Sequence, residues 1–233
     1  MAINVNDVYQ TVLLILNKEQ RGYMTPLEFN KTATQVQLEI FESYFEDLNQ
    51  QLRLNQNDSS YADRVKHIEE KIEIFQRQTN VNATLPPDCH RIGTLSYQKN
   101  ATSITHTLEK VTVAEFNAIT TSRIVTPSED FPIYYINKNE ITTLPVGLGL
   151  SGRLRLNYIA KPADVVWEYS VDPANGAYIW SGAGTGQNFQ IDDSDQTELV
   201  LKILAYAGII IRDPQIVQTA SVMAQQQDQN EKT

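Results

Sequence analysis

The sequence offers few residues that could do chemistry, and their spacing does not suit a catalytic or metal site. Cys89, the single cysteine, is followed by His90, and a thiol beside an imidazole could act as nucleophile and base. Consecutive residues of a strand point to opposite faces, however, which favours a structural role at a domain border. His67 and His106 lack the spacing of zinc ligands. We therefore predict no catalytic residue and no metal site.

Two polar segments could bind a phosphate or a cation. The glycine-rich run at residues 182–186 lacks the Gly-Lys-Ser/Thr ending of a P-loop and the context of a dinucleotide fingerprint, so we interpret it as a surface loop. Asp192, Asp193 and Asp195 lack the spaced ligands and turn glycine of an EF-hand loop. Their position before an apolar run predicts helix capping. We expect no cofactor.

Four aromatic residues could stack on sugar rings: Trp167, Tyr169, Tyr178 and Trp180. Aromatic side chains in strands usually pack into a core, and a β-domain core is the favoured interpretation.

The composition excludes several classes of protein. The 233 residues contain 19 Lys or Arg and 28 Asp or Glu, a formal charge of −9, which argues against a protein that reads nucleic-acid sequence. A single cysteine excludes a disulfide framework. The longest apolar stretch, residues 199–211, is too short for a transmembrane helix of roughly 20 residues. The start lacks a secretory signal, so we expect a protein made in the cytoplasm and independent of membranes.

The N-terminal third shows helical periodicity. Asn6 can cap a short helix over residues 7–17. Thr25, Pro26 and Glu28 form a capping-box pattern that predicts a helix of about 28 residues, and a third helix over residues 61–75 follows. The charged face of this third helix, which includes Lys71, is interpreted as solvated. The long helix carries two apolar stripes, which indicate contacts on two sides: Phe29, Ala33, Val36, Ile40, Tyr44 and Leu48, and Leu27, Leu38, Phe41, Phe45 and Leu52.

After Pro86 and Pro87 the hydrophobic period changes to two, which is typical of antiparallel strands. Strands are predicted over residues 91–97, 103–108, 131–136, 141–144 and 154–160, with further candidates at 165–169 and 177–180. A second capping box, Thr112 with Glu115, predicts a short helix among them. The region is predicted to be a small antiparallel β-domain, sandwich or barrel.

The C-terminal segment is predicted to be helical to about residue 211, with a second helix over residues 215–227 capped by Asp213. The sequence thus predicts an α+β fold with an N-terminal long-helix hairpin, a central antiparallel β-domain and C-terminal helices. The predicted boundaries are 1–85 for the helical domain, 86–191 for the β-domain, 192–227 for C-terminal helices that pack on the helical domain or a partner, and 228–233 for a flexible tail.

One resemblance to a known family adds to these patterns. The sequence contains the run Asn17-Lys18-Glu19-Gln20-Arg21-Gly22-Tyr23-Met24-Thr25-Pro26-Leu27-Glu28-Phe29-Asn30 and continues through Ala33, Gln35, Gln37, Leu38, Glu39, Ile40 and Phe41. Later runs accompany it, Phe131-Pro132-Ile133-Tyr134-Tyr135 and residues 154–162 followed by Trp167. The chain resembles structural proteins of short-tailed bacteriophages, most specifically, over residues 17–53, the tail-ring or head–tail connector (adaptor) proteins of crAss-like phages.

The resemblance implies a virion structural protein without reaction chemistry, in the tail near the portal vertex and assembled in the host cytoplasm. The implied partners are other copies in a ring, typically twelve-fold, the portal protein, and other tail-ring or tail-fibre proteins. DNA would only pass through the channel, and we expect the acidic character of the ring walls to keep them from gripping it.

We expect subunit contacts from the long helix and portal contacts from the C-terminal helices. The candidate interface residues are Phe41, Tyr44, Phe45 and Leu48 in the first, and Ile209, Ile211, Ile216, Val217 and Val222 in the second. An intrachain core is the alternative for each. Two other functions stay open: a tail-fibre adaptor or sugar-binding β-module, favoured by Trp167 and Trp180 exposed in a groove, and an enzyme, which would need His90 or His106 to meet a carboxylate in a cleft.

Overall fold

The computed structural model describes residues 3–18, 23–53, 59–99, 104–122, 124, 126–148, 153–182, 184–211, 218–223 and 225–226. They confirm the predicted α+β fold, with N-terminal helices, central antiparallel strands and a C-terminal helix. The chain divides into two compact units. We call them the helical unit, Met1–Ile74 with Pro162–Thr233, and the β-unit, Phe75–Lys161.

Among the described residues, the helical unit includes the helices α1 (Val5–Lys18), α2 (Pro26–Arg53), α3 (Ser59–Glu73) and α5 (Gln196–Ile211), and a short helical segment near its C-terminus. The start of α2 confirms the predicted capping box. The Thr25 amide donates to the Glu28 carboxylate at 2.9 Å and the Glu28 amide donates to the Thr25 hydroxyl at 3.4 Å, so each residue satisfies an amide that the helix leaves unpaired. The helix is 28 residues long, as predicted.

The core of the helical unit lies along α2. Phe29, Ile40 and Phe41 are fully buried on α2, and the helix packs against α3 and α5, while α1 packs against α5. The partners contribute apolar side chains at helical spacing, which are Val8, Val12 and Leu16 from α1 and Leu199, Ile203 and Ala207 from α5. The two-sided stripe of α2 is therefore covered largely within the chain.

Residues 162–191 belong to the helical unit. The sequence pattern predicts them as part of the β-domain. The Gln37 side chain on α2 holds this segment at two points, donating to the Ala163 carbonyl at 2.8 Å and accepting from the Gln190 amide at 2.8 Å. The predicted strand at 165–169 is only an isolated bridge, Val166 with Gln187, because the segment runs along the helices. A two-stranded hairpin follows, β8 (Tyr169–Val171) with β9 (Tyr178–Trp180).

The described strands of the β-unit form two sheets. In the first, the strand order is β1 (Gln76–Val81), β7 (Leu154–Ala160), β2 (Cys89–Gln98) and β3 (Thr105–Thr107). The second has β4 (Glu109–Lys110), β5 (Ile133–Asn137) and β6 (Glu140–Leu144) in sequence order. All pairs are antiparallel except β4 with β5, which is parallel. The short helix α4 (Val113–Thr121) begins at the predicted capping box of Thr112 and Glu115.

The core of the β-unit is apolar and comes from alternate residues of its strands. Strand β7 buries Leu154, Leu156, Tyr158 and Ala160 and exposes Arg155 and Asn157 between them, as the period-two pattern predicts. The same core includes Val81, Leu95, Tyr97, Leu108, Tyr134, Ile141 and Leu148.

The boundary between the units also differs from the predicted one at its N-terminal end. Strand β1 lies within residues 76–81, which the sequence pattern placed in the helical domain, and the β-unit begins at Phe75. The sequence Gln-Arg-Gln-Thr-Asn-Val has no apolar alternation, because β1 is an edge strand that buries mainly its last residue. At the C-terminus, residues 218–223 and 225–226 are helical, and the rest of the predicted second helix lies outside the described residues.

Within the described part of the chain, no helix combines the length and the apolarity needed to cross a membrane.

Candidate functional site

The possible nucleophile and base, Cys89 and His90, both lie in the β-unit. They are consecutive residues of β2 and line an open cleft of about 680 Å³ together with Arg91, Lys110 and Lys138. Burial, followed by the neighbouring Asp88 carboxylate, raises the pKa of the Cys89 thiol, and a raised pKa disfavours the reactive thiolate. Among the residues that the structure describes, no cluster of three or more His, Cys, Asp or Glu could hold a metal ion.

His106 does lie near a carboxylate. Its Nε2 atom is 3.7 Å from Oδ1 of Asp130, which is beyond hydrogen-bond distance. The Asp130 side chain is largely exposed, so water solvates the carboxylate and little electrostatic coupling is expected.

The glycine-rich run is used inside the chain. The Thr185 amide donates to the Glu168 carboxylate at 3.2 Å, and the Thr185 hydroxyl donates to the same group. These bonds, the hydroxyl first, hold the pKa of Glu168 below its usual range. A Cβ on Gly182 would lie 3.3 Å from Nε1 of Trp180. The loop therefore binds a carboxylate of its own chain and covers its own indole, which supports the surface-loop interpretation.

The three aspartates divide into two roles. Asp192 accepts from the Ser194 amide at 2.9 Å and caps a 3₁₀ turn, Asp193–Asp195, that leads into α5, as predicted. Asp195 is instead buried and accepts from Nζ of Lys71 at 2.7 Å and from the Tyr44 hydroxyl. Burial, reinforced by Asp195, raises the pKa of Tyr44 above its usual value, so the phenol keeps its proton and donates.

The buried pair lies at a charged cleft that we define as the space of about 370 Å³ between α2, α3 and α5. Its lining includes Glu46, Arg64, His67, Glu198 and Lys202. Positive and negative groups alternate there, and Lys202 bonds Glu198 at 2.6 Å. The lining contains three cationic and four carboxylate side chains, so most of its charge is balanced inside the cleft. The bonds of Asp195 to Lys71 and Tyr44 act there as a clamp between the three helices.

The sequence pattern missed this buried pair. Local patterns predict Lys71 on the solvated face of α3 and Asp195 as a capping residue, but both are buried. A usable signal existed for Asp195, since it precedes Leu199, Ile203 and Ala207 at a spacing of four and so lies on the buried face of α5. Nothing local identifies Lys71 as its partner, because the two residues are 124 positions apart.

The aromatic residues form a cluster in the helical unit rather than in the β-domain. Trp167 is buried, its ring centroid lies 4.4 Å from that of Tyr9, and its indole donates to Asn6 at 3.0 Å. The prediction that Trp167 lies in a core is thus correct. The core is that of the helical unit, however, and not that of the predicted β-domain. Trp180, 5.8 Å from Trp167, is more than one-third exposed on the hairpin, as are Tyr169 and Tyr178.

The predicted interface residues fall into three groups. Phe41, Tyr44 and Phe45 are buried by the chain itself, at most 5% exposed, while Leu48 is half-buried. Val222 is exposed on the short C-terminal helix. Ile209 and Ile211 belong to the last turn of α5, but their side chains lie outside the described part of the structure, as do Ile216 and Val217.

The sequence matches no protein-family model, and no similar protein was found among curated proteins.

Proposed function

We propose that this chain is a structural virion protein, a ring-forming head–tail connector or tail-ring component that docks near the portal and surrounds the DNA channel. The segment that carries the resemblance, residues 17–53, supplies the supporting observation. Its apolar pattern belongs to one long capped helix that is packed on its central turns and leaves large apolar residues uncovered at both ends, Leu27 at 58% and Leu52 at 53% exposure.

The other apolar residues of α2 are buried or half-buried, so its exposed leucines are suited to contacts with further subunits. Leu14 and Ile15 near the end of α1 are also exposed. Ring interfaces bury apolar surface of this kind. The carboxylates of Glu168 and Asp195 are meanwhile engaged in hydrogen bonds within the chain.

The mass of the purified protein in solution tests the proposal. Light scattering should give a complex of many copies, either for the protein alone or after mixing with the portal protein from the same source. Leu27→Ser should weaken this assembly, whereas Lys31→Ser, at an exposed position one turn further along α2, should not. A monomer that ignores the portal protein would contradict the proposed function.

A second candidate, a tail-fibre adaptor or a sugar-binding module, is favoured by the exposed aromatic residues of the β8–β9 hairpin. Stacking of a sugar on Trp180 would change its fluorescence, and Trp180→Ala should abolish glycan binding. The buried position of Trp167 weighs against a sugar platform that uses both tryptophans.

A further inference from the structure

The two units carry charges of opposite sign. Residues 75–161 contain nine Lys or Arg and six Asp or Glu, a formal charge of +3, while the rest of the chain contains ten and 22, a charge of −12. An acidic protein thus contains a basic unit, and the location of its basic groups determines what it can bind.

The outer face of the four-stranded sheet carries much of this positive charge. Directly paired residues share a face of a sheet, and the register places Arg155 between Asn80 and Ser96 and places Ile159 between Gln76 and Arg91. Asn157 and Gln78 complete the middle of this face. We call it the basic face, and it also includes Arg153, the exposed residue before β7.

Carboxylates are absent from these four strands, whose sequences contain no Asp or Glu. Within the described residues, no carboxylate forms an ion pair with Arg153 or Arg155, whereas Arg77 on the opposite face pairs with Asp88 at 3.1 Å. The guanidinium groups of Arg153 and Arg155 are therefore available to an external acidic group.

The basic face has a shallow groove that a helix edge could enter. The groove, about 540 Å³, is lined by Gln76, Gln78, Gly93, Thr94 and Asn157 among others. Gly93 is required there, since a Cβ would lie 2.9 Å from the Asn157 carbonyl oxygen. The amide and hydroxyl groups that line this groove, with Arg155 two residues from Asn157 on the same face, suit a row of carboxylates.

The helical unit presents such rows. Glu42 and Glu46 on α2, and Glu69 and Glu73 on α3, are exposed and separated by four residues, so the two carboxylates of each pair lie next to each other on the helix surface. Two like charges at this spacing destabilise a helix. A basic partner would relieve that repulsion.

We propose that the basic face of one copy binds the acidic helices α2 and α3 of a second copy, head to tail. This inference rests on the proposed function, because a head-to-tail contact is the kind that closes a ring when repeated. The division of charge within the chain favours this occupant. Every copy carries the basic unit at +3 together with its complement, the acidic remainder at −12.

The size of the face indicates what it contributes. Four strands about 4.8 Å apart and about seven residues long, at about 3.3 Å per residue, cover roughly 400 Å², against about 800 Å² per partner in a standard interface. The basic face therefore supplies about half of the contact. We expect it to set the orientation and the association rate, with apolar residues such as Leu27 supplying the remainder.

A charge-swap experiment tests the contact. Arg153→Glu with Arg155→Glu should raise the protein concentration at half-assembly at least tenfold at low salt, and Glu69→Arg with Glu73→Arg, or the same change at Glu42 and Glu46, should do the same. An equimolar mixture of the arginine variant with the effective glutamate variant should recover assembly, because both contacts of an alternating ring are then complementary. Lys110→Glu with Lys138→Glu, at exposed positions of the β-unit outside the four-stranded sheet, is the matched control.

Each outcome of these assembly measurements either supports or overturns the proposed contact between copies. Circular dichroism and the milder pair Arg153→Gln with Arg155→Gln distinguish a lost contact from a lost fold. If the wild-type protein assembles and the arginine variants assemble equally well, this inference is wrong and the proposed ring stands. If the wild type stays monomeric at every salt concentration and with the portal protein, both fail. If the arginine variants lose only affinity for duplex DNA, the basic face is a nucleic-acid surface and the contact between copies is overturned.

Discussion

The helical unit and the β-unit are each stabilised by a different kind of internal contact. The helical unit is assembled from two parts of the chain, and polar side chains link them: Lys71 reaches Asp195, Gln37 reaches Ala163 and Gln190, and Asn30 reaches Trp167. The β-unit is one continuous segment with an apolar core and backbone ladders. The comparison teaches that buried polar contacts serve here to join segments that are distant in the sequence.

The largest expected effect comes from breaking the buried ion pair. Lys71→Met leaves the Asp195 carboxylate buried without its cation, which should reduce the free energy of unfolding of the helical unit by about 3–5 kcal/mol. Chemical denaturation measures the loss, and hydrogen exchange should locate it in α2, α3 and α5 while the strands of the β-unit keep their protection.

Two controls accompany this variant. Lys66→Met removes an exposed pair with Glu70 and should cost no more than about 0.5 kcal/mol. Adding Asp195→Asn to Lys71→Met removes the buried charge and retains an acceptor for Tyr44, so it should recover much of the loss. An equal cost for Lys71→Met and Lys66→Met would contradict the clamp.

A smaller effect is expected at Asn30. Its side chain accepts from the Trp167 amide at 2.8 Å and donates to the Trp167 carbonyl at 3.3 Å, so Asn30→Ala leaves two backbone groups without partners, at a cost of about 1–3 kcal/mol. Asn49→Ala, exposed on the same helix, is the matched control. Tryptophan fluorescence should change in the first variant only, and an unchanged spectrum and stability would show that the segment is held by its apolar contacts.

The smallest expected effect on stability comes from the two capping boxes, one in each unit. Thr25→Ala should cost about 1 kcal/mol. Thr112→Ala should cost less, because the nine-residue α4 buries only Phe116. Thermal unfolding of both variants measures the difference, and a larger cost at Thr112 would reverse the comparison.

The first capping box also has a defined pH dependence. Hydrogen bonds to the Thr25 side chain and then its backbone lower the pKa of Glu28 below the ordinary 4.5. A pKa that is lower in the folded state contributes stability above the ordinary value and loses it as the pH falls through the folded pKa. The destabilisation caused by Glu28→Gln should therefore be complete at neutral pH and shrink below about pH 4.5. A penalty that does not change with pH would contradict the assigned role of the carboxylate.

Local patterns in the sequence were sufficient for most elements, with β1 and the strand predicted at 165–169 as exceptions, but not for their assembly. The capping box at Thr25 and the alternation of β7 depend on neighbouring residues, and both were predicted correctly. The membership of residues 162–191 depends on side chains such as Gln37, which bonds groups 126 and 153 positions away. An amide on a helix gives no local sign of partners at that distance.

The misplaced boundaries also concealed the charge difference between the units. Windows of 1–80, 81–190 and 191–233 carry −4, −1 and −4, and no basic region is visible. The positive unit appears only when Arg77 is counted with the β-unit and Asp164, Glu168 and Asp172 with the helical unit. The expectation of acidic ring walls rests on the net charge of the whole chain, −9, which does not reveal that one unit is positive.

The division of the helical unit between two stretches of chain also affects its synthesis. Asp195 leaves the ribosome 124 residues after Lys71, which at roughly 5–20 residues per second is a delay of about 6–25 s. All of the β-unit is translated within that interval. The β-unit can therefore fold first, while α1 to α3 wait with an unpaired lysine and an open apolar face, so the nascent helices are the part of this protein that most needs a chaperone.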